Sequence, residues 1–216
     1  ASSAASYGDG SNGFGDGLDY ERLRTLRPLN LYGWSKHQFD LIVAERAAKG
    51  LRLPPKCIGL KFFNVFGQNE YHKGDMRSVV AKNHATAAQG GEVRLFESHR
   101  AGIPHGGQKR DFVYVDDVVD VILWCLDRGP AAGLFNVGTG RASSFRELIE
   151  ALYAATGKPP TIKYVPMPEH LRAAYQYFTE APMAGLRAAG YAHPFTPLPD
   201  AVARYVKYLA SDDPYR

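Results

Sequence analysis

Short apolar runs alternate with longer amphipathic stretches along most of this chain, and that alternation restricts the fold more than any other property of the sequence. From residue 31 to about 49, Phe39, Ile42, Val43 and Ala47 recur at helical spacing and Gly50 supplies a stop, which predicts a helix. Residues 57–66 (CIGLKFFNVF) lie between Pro54-Pro55 and Gly67; they are few, aromatic and β-branched, which predicts a buried strand. Residues 78–89 read as a helix closed by Gly90-Gly91, and 92–96 as a short strand before a polar loop at 98–108. Residues 111–128 begin as a strand (Phe112, Val113, Tyr114) and pass into a helix whose first turn holds Asp116 and Asp117, where carboxylates suit the positive end of the helix dipole. A strand at 134–137 ends at Gly138-Thr139-Gly140. A helix at 144–156 is capped by Ser143 or Ser144, a strand follows at 161–165, and helical stretches at about 180–189 and 197–210 close the chain. Strands and helices alternating at these lengths predict an α/β fold with mainly parallel pairing.

Composition narrows the function classes. The 216 residues are 45% hydrophobic and 22% charged, enough to bury a core, which excludes a disordered, collagenous or disulfide-stapled chain. The net charge of +4 is spread along the sequence without a basic tract, so no nucleic-acid-binding arm is expected and the balance suits an anionic small molecule. Cys57 and Cys125 each sit in an apolar run and are expected to be buried reduced thiols, which points to the cytoplasm. No run approaches the ~18 apolar residues of a membrane span, and the seven histidines lack ligand spacing, so neither a membrane nor a metal is expected. Residues 8–17 carry five glycines and read as a flexible loop. The chain opens without Met in a small-residue segment of the kind that follows a strand, so a preceding segment is expected.

Tyr32 and Lys36 stand four apart at a helix start, so their side chains share one face. An ammonium held near a phenol stabilises the phenolate, which is what makes a tyrosine usable as a base. A chain with 13 tyrosines also produces such pairs by chance, and a solvated surface pair has the same spacing.

The surrounding phrases add to that pair. Ser2-Ser3-Ala4-Ala5-Ser6-Tyr7-Gly8 lies upstream; Phe63-Asn64-Val65-Phe66-Gly67 and Arg110-Asp111-Phe112-Val113-Tyr114-Val115-Asp116-Asp117 follow. In this order the motifs resemble the extended short-chain dehydrogenase/reductases, whose nucleotide-sugar enzymes hold a Ser-Tyr-Lys triad over a nicotinamide on a Rossmann-type doubly wound sheet. Within that family His72-Lys73-Gly74, Leu95-Phe96-Glu97, Phe135-Asn136-Val137-Gly138-Thr139-Gly140 and Tyr175-Gln176-Tyr177-Phe178-Thr179 look like the ADP-glycero-manno-heptose 6-epimerases. UDP-galactose 4-epimerases share the triad but not these phrases.

The resemblance implies roles residue by residue. Ser3 would hydrogen-bond the reacting hydroxyl, Tyr32 would act as one acid/base, and Lys36 would stabilise its phenolate and hold the nicotinamide ribose. Lys73 would be the second acid/base on the opposite face of the reacting carbon. Tyr32, Lys36, Val65 and Lys73 would line the cofactor, NADP with NAD as the alternative. Asn64, Asp75, Lys82, Phe96, Glu97, Ser98, His99, Arg110 and Tyr175 would contact the ADP-heptose-type nucleotide sugar, Arg110 as a diphosphate clamp because its planar fork binds phosphate oxygens bidentately. Each has a plain alternative: Lys73 as a surface lysine, Phe96 as core, Arg110 as partner of a nearby carboxylate, Tyr175 as a half-buried surface residue. A division into 1–67 with about 111–141, the C-terminal half of a dinucleotide-binding domain, and a mainly substrate-binding remainder within 68–216 is expected, with homo-oligomerisation of the full-length protein.

The sequence departs from that pattern in places. Asp75 and Lys82 fall where small polar or histidine contacts are expected, and Ser98-His99 with the insert to Gln108 replaces a shorter loop. Nothing matches the Gly-x-x-Gly-x-x-Gly turn that binds the dinucleotide. The expectation is a C-terminal part lacking about 110 residues of the dinucleotide-binding sheet, inactive alone. The alternatives are a 4-epimerase or dehydratase of the same superfamily, and a non-catalytic sugar-nucleotide-binding remnant. Dehydratases generally place acidic residues beside the triad, and residues 1–6 contain none.

Overall fold

In the computed structural model, which describes residues 1–172 and 175–211, every parallel strand pair is joined through intervening helix. The chain opens with β1 (Ser2–Ser3), a 3-10 turn over Ala4–Tyr7, α1 (Tyr20–Leu23) and α2 (Leu31–Ala48). β2 (Cys57–Phe62), β3 (Asn64–Phe66), a 3-10 stretch over Tyr71–Met76 and α3 (Val79–Ala88) follow. Then come β4 (Val93–Phe96), β5 (Lys109–Arg110), β6 (Phe112–Tyr114), α4 (Val115–Asp127) and β7 (Ala132–Val137). β8 (Ser143–Ser144), α5 (Phe145–Thr156), β9 (Ile162–Val165), α6 (Glu169–Arg172), α7 (Ala184–Ala188) and α8 (Leu198–Leu209) complete it. The order β1-β2-β7 forms one parallel sheet; β3 pairs with β6 and β4 with β9 in parallel, and β5 pairs with β8 antiparallel. The fold is α/β.

Three differences from the sequence expectation bear on the site. The apolar run at 57–66 is two strands, because after β2 the backbone changes partner: the Phe63 N–H donates to the Val137 carbonyl and the Asn64 N–H to that of Asp111. The helix expected at 180–189 is confined to α7. Residues 177–181 are drawn out instead, with Lys109 N–H donating to the Tyr177 carbonyl, Thr179 N–H to that of Lys109, and Ala181 N–H to the Asp111 carboxylate. Helix α2 forms where expected but presents the other face: Phe39 and Ile42 are exposed, while Gly33, His37, Asp40 and Ala44 are buried. A buried ion pair, described below, turns it that way.

Apolar packing gathers in three clusters. Ala4, Tyr7, Leu23, Leu26, Phe63 and Leu134 support the first turn, and Leu60, Val113, Val121, Val137 and Leu186 join α4 and α7 to the parallel sheet. The third joins α3, α5 and α8 to β4 and β6 through Val80, Leu95, Ile149, Leu152 and Val202. Helix α5 starts with a capping box: the Ser144 hydroxyl accepts from Glu147 N–H at 3.1 Å and the Glu147 carboxylate from Ser144 N–H at 2.6 Å.

Candidate active site

The site is built around the first turn. Ser3 ends β1 and caps the 3-10 turn, its hydroxyl accepting the Ala5 N–H at 3.2 Å. The turn stops at Gly8, whose φ of +66° and closeness to the Arg27 carbonyl, 2.0 Å from where a Cβ would sit, leave room for glycine alone. Helix α2 begins beside it, its Gly33 N–H donating to the Asn30 side chain at 2.8 Å. Gly33 lies against the turn: a Cβ there would stand 2.6 Å from the Ala5 carbonyl oxygen. That approach carries the start of α2, with Tyr32 and Lys36, up to the segment bearing Ser3. Tyr32 is 57% exposed, and the Lys36 ammonium lies 5.8 Å from its ring centroid. Among the described residues neither side chain pairs with a carboxylate.

Arg110 forms the other wall. A cleft of about 140 Å³ is lined by Ala5, Gly8, Asn30, Arg110, Tyr175 and Gln176. Arg110 is 8% exposed, and its guanidinium donates to the carbonyls of Lys109 (2.8 Å) and Gln176 and lies 5.3 Å from the Tyr175 ring centroid. Among the described residues it pairs with no carboxylate, so the alternative of an internal ion pair does not hold; burial pushes its pKa down. Tyr175 is half-buried, its phenol raised by burial, and it meets Phe96 edge-to-face at 6.3 Å. Phe96 ends β4 and is half-buried. The Gln176 amide donates to the Gly8 carbonyl, tying the two walls together.

The other sequence-indicated residues lie around these walls. Asn64 is exposed and Val65 half-buried at β3, the Val65 side chain against the core under α4. Lys73 is exposed on the 3-10 stretch, its ammonium 3.9 Å from the buried Glu70. Asp75 and Lys82 are exposed, beyond Gly74 and on α3. Glu97 and Ser98 are half-buried after β4; the Ser98 N–H donates to His105 Nδ1 at 2.9 Å. His99 is exposed and its Nδ1 lies 2.8 Å from the Tyr177 hydroxyl, which also accepts the His99 N–H. Asp116 and Asp117 act structurally: Asp116 accepts from the Gln68 amide, and Asp117 from the Thr196 N–H and hydroxyl.

Residues 1–138 match the family model described as NAD dependent epimerase/dehydratase. The chain belongs to that family. It is 50% identical over 217 residues to an ADP-L-glycero-D-manno-heptose-6-epimerase of Nitratidesulfovibrio vulgaris, and 44% identical over 222 residues to one of Fusobacterium nucleatum. All of this chain is covered in both, but it spans 65% and 66% of their lengths. Among solved structures, the Helicobacter pylori ADP-L-glycero-D-manno-heptose-6-epimerase matches 96% of this chain and 58% of its own, at 25% identity and a TM-score of 0.73. The Thermus thermophilus UDP-glucose 4-epimerase complex with NAD matches 87% of this chain and 56% of its own, at 25% identity and a TM-score of 0.67.

This member of the epimerase/dehydratase family also holds polar residues that motif reading missed. Lys61 and Asp40, 0% and 4% exposed, form an ion pair beneath the first turn. Glu70, 2% exposed, accepts from the Ser78 N–H and hydroxyl and from the Tyr205 hydroxyl, fastening the stretch that bears Lys73 to α3 and α8. Asp111 is fully buried and accepts four hydrogen bonds, from the N–H groups of Thr139, Gly140 and Ala181 and the Thr139 hydroxyl. Gly138-Thr139-Gly140 therefore wraps an internal carboxylate. Lys61 and Asp40 each interrupt an apolar run, which was their only sequence signal; Glu70 and Asp111 stand beside polar residues and had none. Both cysteines are free, Cys125 buried and Cys57 half-buried, and among the described residues no helix is long and apolar enough to cross a membrane.

Proposed function

We propose that this chain carries the reacting groups and sugar-nucleotide pocket of an enzyme that inverts C6 of an ADP-linked glycero-manno-heptose, a lipopolysaccharide core precursor. The observation that carries the reading is Arg110: a buried guanidinium without a carboxylate partner among the described residues, facing a cleft beside an aromatic pair, suits a diphosphate. The names of the relatives at 44–50% identity supply the sugar.

Inversion at an unactivated carbon needs proton handling on two faces, and one base cannot serve both. Tyr32 takes the C6 hydroxyl proton on one face while Ser3 hydrogen-bonds that oxygen and Lys36 stabilises the phenolate. When the transient ketone presents its other face, the Lys73 ammonium gives a proton of its own to the ketone oxygen, and exchange with solvent returns Tyr32 and Lys73 to their starting states. NADP, with NAD as the alternative, supplies hydride acceptance and return when bound. The residues fit its nicotinamide end: Tyr32 is exposed, and the Lys36 ammonium lies 5.8 Å from its ring centroid without a carboxylate partner among the described residues. The 216 residues contain no Gly-x-x-Gly-x-x-Gly turn for the pyrophosphate. The chain alone is therefore expected to hold the dinucleotide weakly and to turn over little, with activity belonging to a protein that also supplies that turn. The division into 1–67 with 111–141 and a substrate-binding remainder, a cytoplasmic location and homo-oligomerisation belong to this proposal.

Calorimetric titration with ADP tests it directly. Arg110→Met removes two or more charge-assisted contacts, each about 1.5–3 kcal/mol, so ADP affinity is expected to fall about 100-fold or more. Unchanged affinity would remove the basis of the reading. A sugar-nucleotide-binding module without catalysis is the second reading, favoured by the missing glycine-rich turn. It predicts ADP binding in this chain with no turnover even when that turn is supplied.

A further inference from the structure

Beneath the turn bearing Ser3 lies a charged group that no step above uses. The Lys61 ammonium reaches from β2 to Asp40 Oδ2 at 2.6 Å and donates to the Ser6 hydroxyl at 2.5 Å. The same Asp40 oxygen accepts the Ser2 hydroxyl at 2.7 Å. The ammonium also lies 4.8 Å from the Tyr7 ring centroid, and the Tyr7 hydroxyl donates to Asn136 Oδ1 at 2.7 Å. Three segments meet here: β2 through Lys61, α2 through Asp40 one turn past Lys36, and the strand and turn through Ser2 and Ser6, which bracket Ser3.

Stability does not account for the pair. Desolvating both charges is costly, and an apolar pair of similar volume generally serves a core as well or better. Burial lowers the Lys61 pKa while Asp40 opposes that shift, so the site pulls both ways on the charge. What hydrogen-bonded charges provide, and apolar packing does not, is one fixed orientation of the groups they touch. All the touched groups belong to the two segments that carry Ser3, Tyr32 and Lys36.

We propose that Lys61 and Asp40 are a positioning pair that holds the Ser3 segment in one orientation against Tyr32 and Lys36, so that proton transfer at the substrate carbon depends on two residues that never touch it. The catalytic part of this inference rests on the function proposed above; the fixing of Ser3 does not.

The test replaces both charges with apolar groups, Lys61→Met with Asp40→Leu, and reads melting, turnover and hydrogen exchange. The double variant is expected to melt within a few degrees of the unaltered protein. In the intact enzyme kcat falls about 100-fold, the size expected of a misplacement near 1 Å, while KM for ADP-heptose stays within threefold. In the 216-residue chain the Ala5 amide, which donates to Ser3, exchanges at least tenfold faster while amides of α5 and α8 do not change. Lys61→Arg, which keeps the charge, restores kcat to within about tenfold of the unaltered enzyme. Should the double variant not fold, Asp40→Asn removes the charge at constant shape and is read the same way. An unchanged kcat or unchanged Ala5 exchange in a folded variant overturns the proposal. If the unaltered intact protein does not turn over ADP-heptose, the functional reading fails, and Ala5 exchange still decides whether the pair fixes Ser3.

Discussion

Replacing Gly33 with alanine sets two ordinary effects against each other. Within a helix, alanine is favoured over glycine by about 1 kcal/mol, so propensity alone predicts a more stable protein. The Gly33→Ala methyl would stand 2.6 Å from the Ala5 carbonyl oxygen and 3.0 Å from Pro28 Cβ, where ordinary contact begins at 3.4 Å. The start of α2 must retreat by 3.4 − 2.6 = 0.8 Å, because the group it meets is backbone that cannot rotate aside. Overpacking of this kind costs about 1–3 kcal/mol, leaving a net loss of up to about 2 kcal/mol. At about 2–4 °C per kcal/mol for a chain of this size, the melting temperature falls by up to about 8 °C. On the proposed function the effect on chemistry is larger, because the retreat moves Tyr32 and Lys36 away from Ser3; with a misplacement of about 1 Å worth about 100-fold, turnover is expected to fall between tenfold and 100-fold. Thermal melts and, on the proposed function, ADP-heptose turnover in the full-length protein measure both, with Gln38→Ala on the exposed face of α2 as the control. A variant that melts higher and turns over normally would falsify the claim that this close approach sets the site.

Three further outcomes follow from the same geometry. Ser144→Ala removes half of the α5 capping box and lowers stability by about 1 kcal/mol, visible as a lower melting temperature with ADP binding unchanged. The Asp120 carboxylate accepts the Tyr191 hydroxyl and His193 Nδ1, both at 2.7 Å, and its pKa is held below the ordinary carboxylate value, first by the Tyr191 hydrogen bond. Because the folded pKa is depressed, this contribution is fully present above the unfolded carboxylate pKa near 4 and is lost as pH falls below it. Melting curves between pH 6 and pH 3 should therefore fall less steeply for Asp120→Asn, and identical slopes would count against the pairing. On the proposed function, Tyr32→Phe in the full-length protein should abolish ADP-heptose turnover while leaving ADP affinity unchanged; retained turnover removes Tyr32 from the proposed mechanism.

What could be read from the sequence was whatever local chemistry determines. Helix α5 was legible because its cap, its apolar period and Gly157 agree over a dozen residues. Helix α2 was legible as a helix but not in its orientation, because its apolar residues point outward while His37 and Asp40 face in. Hydrophobic period assumes that the core selects apolar side chains, and here Lys61, 21 residues away on β2, selects a carboxylate instead. The break at Phe63 was hidden for a related reason: a change of strand partner leaves no mark on an apolar run when both partners are buried. Tyr32 and Lys36 were singled out by their spacing and Arg110 by the family resemblance. Lys61, Glu70 and Asp111 were not, since each is tied to partners distant in sequence that no local pattern connects.

The wrap around Asp111 has a consequence for any anion near this end of the sheet. Gly138-Thr139-Gly140 offers the N–H groups and hydroxyl that a phosphate would seek, but the chain already fills them with its own carboxylate. A tethered occupant acts as a competitor at an effective concentration on the order of millimolar or more, and dilution cannot wash it out. Dissolved phosphate and nucleotides meet a loop that is already saturated, which leaves the Arg110 guanidinium, in a cleft that this loop does not line, as the destination for their charge.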